Sequence, residues 1–367
     1  MMHVMQTIAF ARGVPAPDML PVDALRDAVI SGFDADPVGV LSYGKGGGYE
    51  PLRGWLAEQH SVDPSQIVIS TGSLQGFILL ADILRERAER EGRRPVVVVE
   101  NPTYDRPLLV LQRTGWDVRS ARMDGEGVIP QELESAVAGG VDLIYLIPNF
   151  QNPGGSTLSE ERRAAVLDLA ASAGALVFED DPYGELWFAS PPPPSLLSRA
   201  GSDQVVYSSS FSKTISPGLR VGYLVLPSSL AGPVETRAND TYISPTFIGQ
   251  AAVLHYARSG ALERGIADSR TKLRERCDLL TQAIDAHLPD ATYHRPSGGY
   301  FLWLTLPGNV LADDLVAPAA QLGVSFVAGS AFGEGNEHAL RLAFSSPPID
   351  LVATGIERLS EACLQLT

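Results

Sequence analysis

A chain of 367 residues, 45% hydrophobic and 19% charged, is long enough for one large globular unit and a smaller one, each with its own core. Its 28 basic and 43 acidic side chains give a formal charge of −15 with no clustered Lys and Arg, which argues against nucleic acid or an anionic membrane as partner. Cys277 and Cys363 lie far apart and outside any CxxC or Cys/His pattern, so neither a metal site nor a disulfide framework is expected, and a reducing cytoplasm fits.

The opening MMHVMQTIAFARGVPAP lacks a charged n-region, and Arg12 and prolines interrupt its apolar stretch, so it reads as neither signal peptide nor membrane span. Prolines 15, 17, 21 and 37 surround one helical candidate, Asp23–Ile30, and suggest an arm laid over other parts of the protein. A glycine-rich loop, SYGKGGGYEPLR, then holds Tyr43 and Tyr49 and runs into a helix near Pro51. Between Ile67 and Leu84 an apolar strand passes through Thr71-Gly72-Ser73 into an apolar helix. A helix start preceded by glycine exposes backbone N–H groups, so Ser73 and the Leu74 amide are candidates for holding an anion, with a simple Ser N-cap as the alternative.

Strand-then-helix units follow: Val96–Glu100, Leu143–Pro148 and Leu176–Glu179 are continuous apolar runs, each followed by polar text. Such runs predict a mostly parallel sheet with helices on both faces and ligands at the carboxyl ends of the strands. Tyr104, Asn152, Asp180, Tyr183 and Lys213 all follow strand ends. Pro227–Asp240 reads as polar, extended text before helices over Phe247–Tyr256 and Ala261–His287, and the remaining segments read as a smaller α+β unit.

In YSSSFSKTISPGLRVG, Lys213 stands among serines with no acidic neighbour in sequence, and Arg220 follows a Pro-Gly turn. A lysine in a confined, hydroxyl-lined site loses its proton easily and attacks a carbonyl, while Ser210 and Arg220 offer donors to a phosphate. An aldehyde joined to a phosphate describes pyridoxal 5′-phosphate.

Eight motifs appear in order: SYGKGGGYEPLR, STGSLQGF, ENPTY, PNFQNPGG, EDDPYGEL, SSSFSKTISPGLRVGY, PSGGYFLW and LRLAFS. Over almost its whole length the chain resembles a fold-type I pyridoxal-phosphate aminotransferase of class I/II. Within that class it resembles the 2-aminoadipate or kynurenine aminotransferase branch and the related domain of MocR-type regulators. The resemblance implies an α/β protein with an arm over residues 1–40 associated with the small domain and the active-site mouth. A large cofactor-binding domain would cover 41–260 and a small C-terminal domain 261–367.

The resemblance also implies roles. Lys213 matches the lysine that bonds the cofactor aldehyde and moves the substrate proton. Asp180 matches the partner of the ring nitrogen, with Asp181 as rival. Asn152 and Tyr183 match donors to the ring oxygen, and Tyr104 the aromatic on the ring. Ser73, Leu74, Ser210 and Arg220 match the phosphate cup, joined by Tyr43 from a second subunit of a homodimer. Arg341 matches the arginine for the substrate α-carboxylate. Two departures bear on the substrate side: Arg12 before Gly13, both expected near the amino acid, and Tyr300 where the family usually has methionine.

The implied activity moves an amino group from an L-amino acid to a 2-oxo acid. A lyase, cyclase or oxidase on the same scaffold is the enzymatic alternative. A ligand-sensing regulator would need a DNA-binding helix-turn-helix, and the forty residues before Tyr43 show no basic recognition helix.

Overall fold

The computed structural model describes residues 7–308 and 310–366. The runs rich in valine and isoleucine form the middle of an eight-stranded sheet. Its order is Ile67–Ser70, Gly222–Val225, Val205–Ser210, Leu176–Asp180, Leu143–Leu146, Val96–Asn101, Asp117–Asp124 and Gly127–Val128. From Val205–Ser210 to Asp117–Asp124 every pairing is parallel. Side chains alternate between two cores, one on each face: Val97, Tyr145 and Phe178 enter one, and Val98, Ile144 and Val177 the other.

Gly222–Val225 runs antiparallel to both of its neighbours, and its Gly222 is paired with Ser70 on one side and Ser210 on the other. Two strand ends therefore lie beside a single glycine. A Cβ on Gly222 would come 2.4 Å from the Ser73 nitrogen, so only glycine lets the helix Ser73–Arg90 start this close to the sheet.

A second, four-stranded antiparallel sheet joins Thr292–Tyr293, Phe301–Thr305, Ala339–Ala343 and Val327–Ala328. The helix Ala261–His287 leads into it. Ile8–Ala9 pairs in parallel with Val324–Ser325, and Ala343 N donates to Phe10 O, so the beginning of the arm belongs to this C-terminal layer. The later part of the arm departs from that arrangement. Its helix, Val22–Ala35, lies on Phe247–Arg258 beside the large sheet, where Gly32 comes against Ala251.

Two elements differ from the sequence expectation. Pro227–Asp240 is not extended: Ser228–Tyr242 is a helix despite Pro233. It is held by buried Ala231, Val234 and Ala238 and by Arg237 pairing with Asp82 and Glu86, so tertiary packing outweighs the lost helical hydrogen bond. Asp117–Asp124 (DVRSARMD) is a strand with no apolar run, because it lies near the sheet edge and buries only Ala121.

Candidate active site

The carboxyl ends of the parallel strands open into a cavity of roughly 430 Å³ between the two sheets. Ser73, Leu74, Tyr104, Asn152, Asp180 and Tyr183 line it, together with Ser210, Lys213, Arg220, Arg341 and Gly13. Two sequence candidates are not brought there. Arg12 is exposed, because along the arm it is Ala11 and Gly13 that line the cavity. Tyr43 is 87% exposed and also lies outside the lining.

Lys213 follows the strand Val205–Ser210 in a tight turn. Its Nζ donates to the Gly13 carbonyl at 2.6 Å and lies 5.8 Å from the Tyr183 ring centre and 5.3 Å from that of Tyr300. Burial, then the charges of Arg341 and Arg220, push its pKa down to about 8, and Asp180 opposes them. An amine there is partly neutral near pH 8 and so competent as nucleophile and base.

Asp180 and Asp181 are separated by the pleat. Asp180 shares the face of Phe178, where its Oδ2 accepts from Tyr145 Oη at 2.7 Å. Its Oδ1 is buried, and among the described residues has no hydrogen-bond partner. Burial pushes its pKa up to about 7. Asp181 points away: its Oδ1 accepts from Gly184 N at 2.9 Å and its Oδ2 from Tyr207 Oη at 3.2 Å. Glu179, on the face of Val177, accepts from the Leu196 and Leu197 amides at 2.9 Å each, beside buried Arg163.

At the other end of the cavity, the amides of Ser73 and Leu74 belong to the first turn of Ser73–Arg90, where no carbonyl lies one turn back to accept from them. Arg220, itself in the left-handed region (φ 53°), donates through Nη2 to Thr71 O at 3.0 Å. A Cβ on Gly72 (φ 85°) would meet that guanidinium at 2.4 Å. Ser210 Oγ is 2.8 Å from Ser212 Oγ. Together these groups form a positive cup fit for a phosphate.

Arg341, on the middle of the C-terminal sheet, is 7% exposed. Its Nη1 donates to Asn152 Oδ1 and its Nη2 to Ala11 O, both at 2.8 Å, and its guanidinium lies 4.3 Å from the centre of the Phe301 ring. The bond from Arg341 occupies the oxygen of Asn152 and leaves its NH₂ as donor. The apolar flanks Leu340, Leu342 and Phe344 anticipated this burial.

Sequence reasoning gave no role to Tyr145, Phe301 or Arg106, all of which shape the site. Tyr145 was visible only as a polar-tipped residue inside the apolar run LIYLIP. Arg106 lines the cavity from the first turn of the helix Asp105–Arg113, with Nε 3.5 Å from Asp105 Oδ2, and nothing in its local text marks it.

The residues present fit pyridoxal 5′-phosphate on three observations of this structure. A lysine of lowered pKa, an aspartate with a buried oxygen that has no partner among the described residues, and a helix N-terminus with an arginine line one cavity. The fold and this site define a pyridoxal-phosphate enzyme. The sequence pattern of the aminotransferases of class I and II matches residues 8–359, and the chain belongs to that family. It is accordingly a pyridoxal-phosphate-dependent aminotransferase.

The 2-aminoadipate transaminase of Thermus thermophilus is 31% identical over 363 residues, covering 97% of this chain and 89% of that protein. An uncharacterized HTH-type transcriptional regulator of Bacillus subtilis, YisV, is 30% identical, covering 98% and 74%. The crystal structure of Pyrococcus horikoshii kynurenine aminotransferase superposes with a TM-score of 0.92 at 29% identity, covering 99% of this chain and 92% of that one.

Proposed function

We propose that this aminotransferase works through Lys213, with Asp180 and the phosphate cup holding the cofactor and Arg341 holding the amino acid. When bound, the cofactor withdraws electrons from the substrate α-carbon, which makes the α-proton removable. Asp180 would hold the ring nitrogen through Oδ1, its other oxygen being fixed by Tyr145. Tyr183 and the Asn152 NH₂ would donate to the ring oxygen, with Tyr104 beside the ring. The Ser73 and Leu74 amides, Ser210 and Arg220 would hold the phosphate. Arg341 binds the α-carboxylate with its planar fork, and Lys213 Nζ carries the α-proton.

The observation that carries this reading is that Asp180, whose buried Oδ1 has no hydrogen-bond partner among the described residues, lines the same cavity as Lys213. Borohydride reduction of the holoenzyme followed by peptide mapping is expected to place a stable cofactor label on Lys213. A labelled peptide without Lys213 contradicts the assignment.

The working unit in this reading is a cytoplasmic homodimer with Tyr43 reaching the partner's phosphate cup. Near Tyr43 in sequence, Val38 is 73% exposed and Leu41 67% exposed, and Gly44 N donates to Ser244 Oγ, next to exposed Ile243, to join the two segments. Exposed apolar side chains on these two joined segments fit burial against a second copy of the chain. No described helix is long and apolar enough to cross a membrane. Mixing inactive Lys213→Ala protein with inactive Tyr43→Ala protein under conditions of proven subunit exchange should restore activity through heterodimers with one intact site. Exchange without recovery would remove Tyr43 from the partner's site.

A further inference from the structure

Lys213 sits in a turn where, among the described residues, no main-chain N–H bonds its carbonyl. Ile215 N and Ser216 N both bond the Phe211 carbonyl. Pro217 forces Ser216 out of the helical region, to φ −163° and ψ 133°, and itself has no N–H. Gly218 N is taken by Ser216 Oγ at 3.3 Å, and Leu219 N by the Ser216 carbonyl. A half-buried carbonyl left in this position is satisfied by a side-chain donor or by water. Tyr300 Oη supplies the bond, donating to Lys213 O at 2.9 Å.

Tyr300 is fully buried, and its ring is fixed between Tyr183 at 5.5 Å and Phe301 at 6.3 Å. Its own carbonyl accepts from Phe344 N at 3.0 Å, which ties it to the C-terminal sheet. Burial holds the phenol protonated, so it remains a donor across the working pH range. Methionine, the usual residue in this motif, has no hydrogen to give.

We propose that Tyr300 is a positioning residue for Lys213: through the hydroxyl bond to the lysine carbonyl, the C-terminal sheet fixes the peptide from which the reacting amine reaches its targets. The proposal rests on Lys213 being the reacting lysine. The Gly13 carbonyl at Nζ and the Tyr300 hydroxyl at the backbone then hold the two ends of one side chain from segments that both belong to the C-terminal layer. Proton transfer depends steeply on such placement.

The test uses the holoenzyme with Tyr300→Phe, which removes one hydroxyl and keeps the ring, and with Tyr300→Met. Both variants should lose about tenfold in kcat with KM for the amino acid within about twofold, because the loss falls on the reacting step rather than on binding. The pH midpoint of the bound cofactor's absorbance should also move by about 0.3 unit or more, because the lysine nitrogen is held differently. A merely structural tyrosine would lower thermal stability and leave that midpoint in place. Unchanged kcat and midpoint in folded Tyr300→Phe protein overturn the proposal, as does a kcat loss with an unmoved midpoint. Borohydride labelling of each variant separates the two levels: label away from Lys213 is a failure of the lysine assignment, and label on Lys213 leaves the kinetic result to decide Tyr300.

Discussion

Lys213→Ala protein is expected to fold, to bind the cofactor without a covalent bond, and to turn over roughly 10²- to 10⁴-fold more slowly, the range that a positioned acid–base group contributes. Folding should survive because the amine makes one hydrogen bond, to the Gly13 carbonyl, and the main chain of the turn is held by Phe211 O and Tyr300 Oη. The loss should be large because Lys213 is the only lysine among the described residues that line the cavity. The other basic side chains that line it, Arg106, Arg220 and Arg341, carry guanidinium groups rather than amines, and Arg220 and Arg341 are committed to anions in the proposed site. Single-turnover kinetics on gel-filtered variant protein would measure the proton-transfer step, and a small primary amine added to the buffer should restore part of the rate. Turnover within a few-fold of the unmodified enzyme would show that another group carries the proton.

Asp180→Asn is expected to lower turnover by about 10²- to 10³-fold, as a preorganised electrostatic partner typically does, with the fold retained. Asparagine preserves the shape and can still accept from Tyr145 Oη. It removes the charge at Oδ1, a buried oxygen that has no hydrogen-bond partner among the described residues. Burial raises the Asp180 pKa to about 7, so a carboxylate at neutral pH requires a nearby cation, and a protonated ring nitrogen is such a cation.

The neighbouring Asp181→Asn should give the opposite profile. Asp181 accepts from Gly184 N and Tyr207 Oη on the other face of the strand, so its change should lower the unfolding temperature and leave turnover within a few-fold. Parallel measurements of kcat and melting temperature on the two variants decide the matter. A greater loss of turnover in Asp181→Asn would assign the ring nitrogen to the wrong aspartate.

The local text carried much of this. Apolar runs at Val96, Leu143 and Leu176 are buried on both faces, and such burial imposes continuous hydrophobicity that can be read without coordinates. The polar residues just beyond those runs are the ones that line the cavity, since loops at strand ends have no core to enter. The eight ordered motifs added the family, because the chemistry demands one lysine, one carboxylate and one phosphate cup in fixed relation.

Other features depend on partners distant in sequence, and no local pattern encodes those. Ser228–Tyr242 is helical through packing and ion pairs with the helix Ser73–Arg90, against the signal of its own proline. The strand Asp117–Asp124 is recognisable only by its neighbour, because an edge position removes the apolar signature. Spacing favoured Asp180 over Asp181, but the face each one takes is fixed by strand register, and the unpartnered oxygen appears only once both cores are assembled. The outward turn of Arg12, the exposure of Tyr43, the place of Arg106 in the cavity lining and the Tyr300 bond to Lys213 arise where segments dozens to hundreds of residues apart meet. Sequence fixes which side chains can do this chemistry through residue type and strand-end position. Only packing of the arm and the C-terminal sheet against the large sheet decides which of them share one cavity, because the direction of a side chain is set by the core it must leave free.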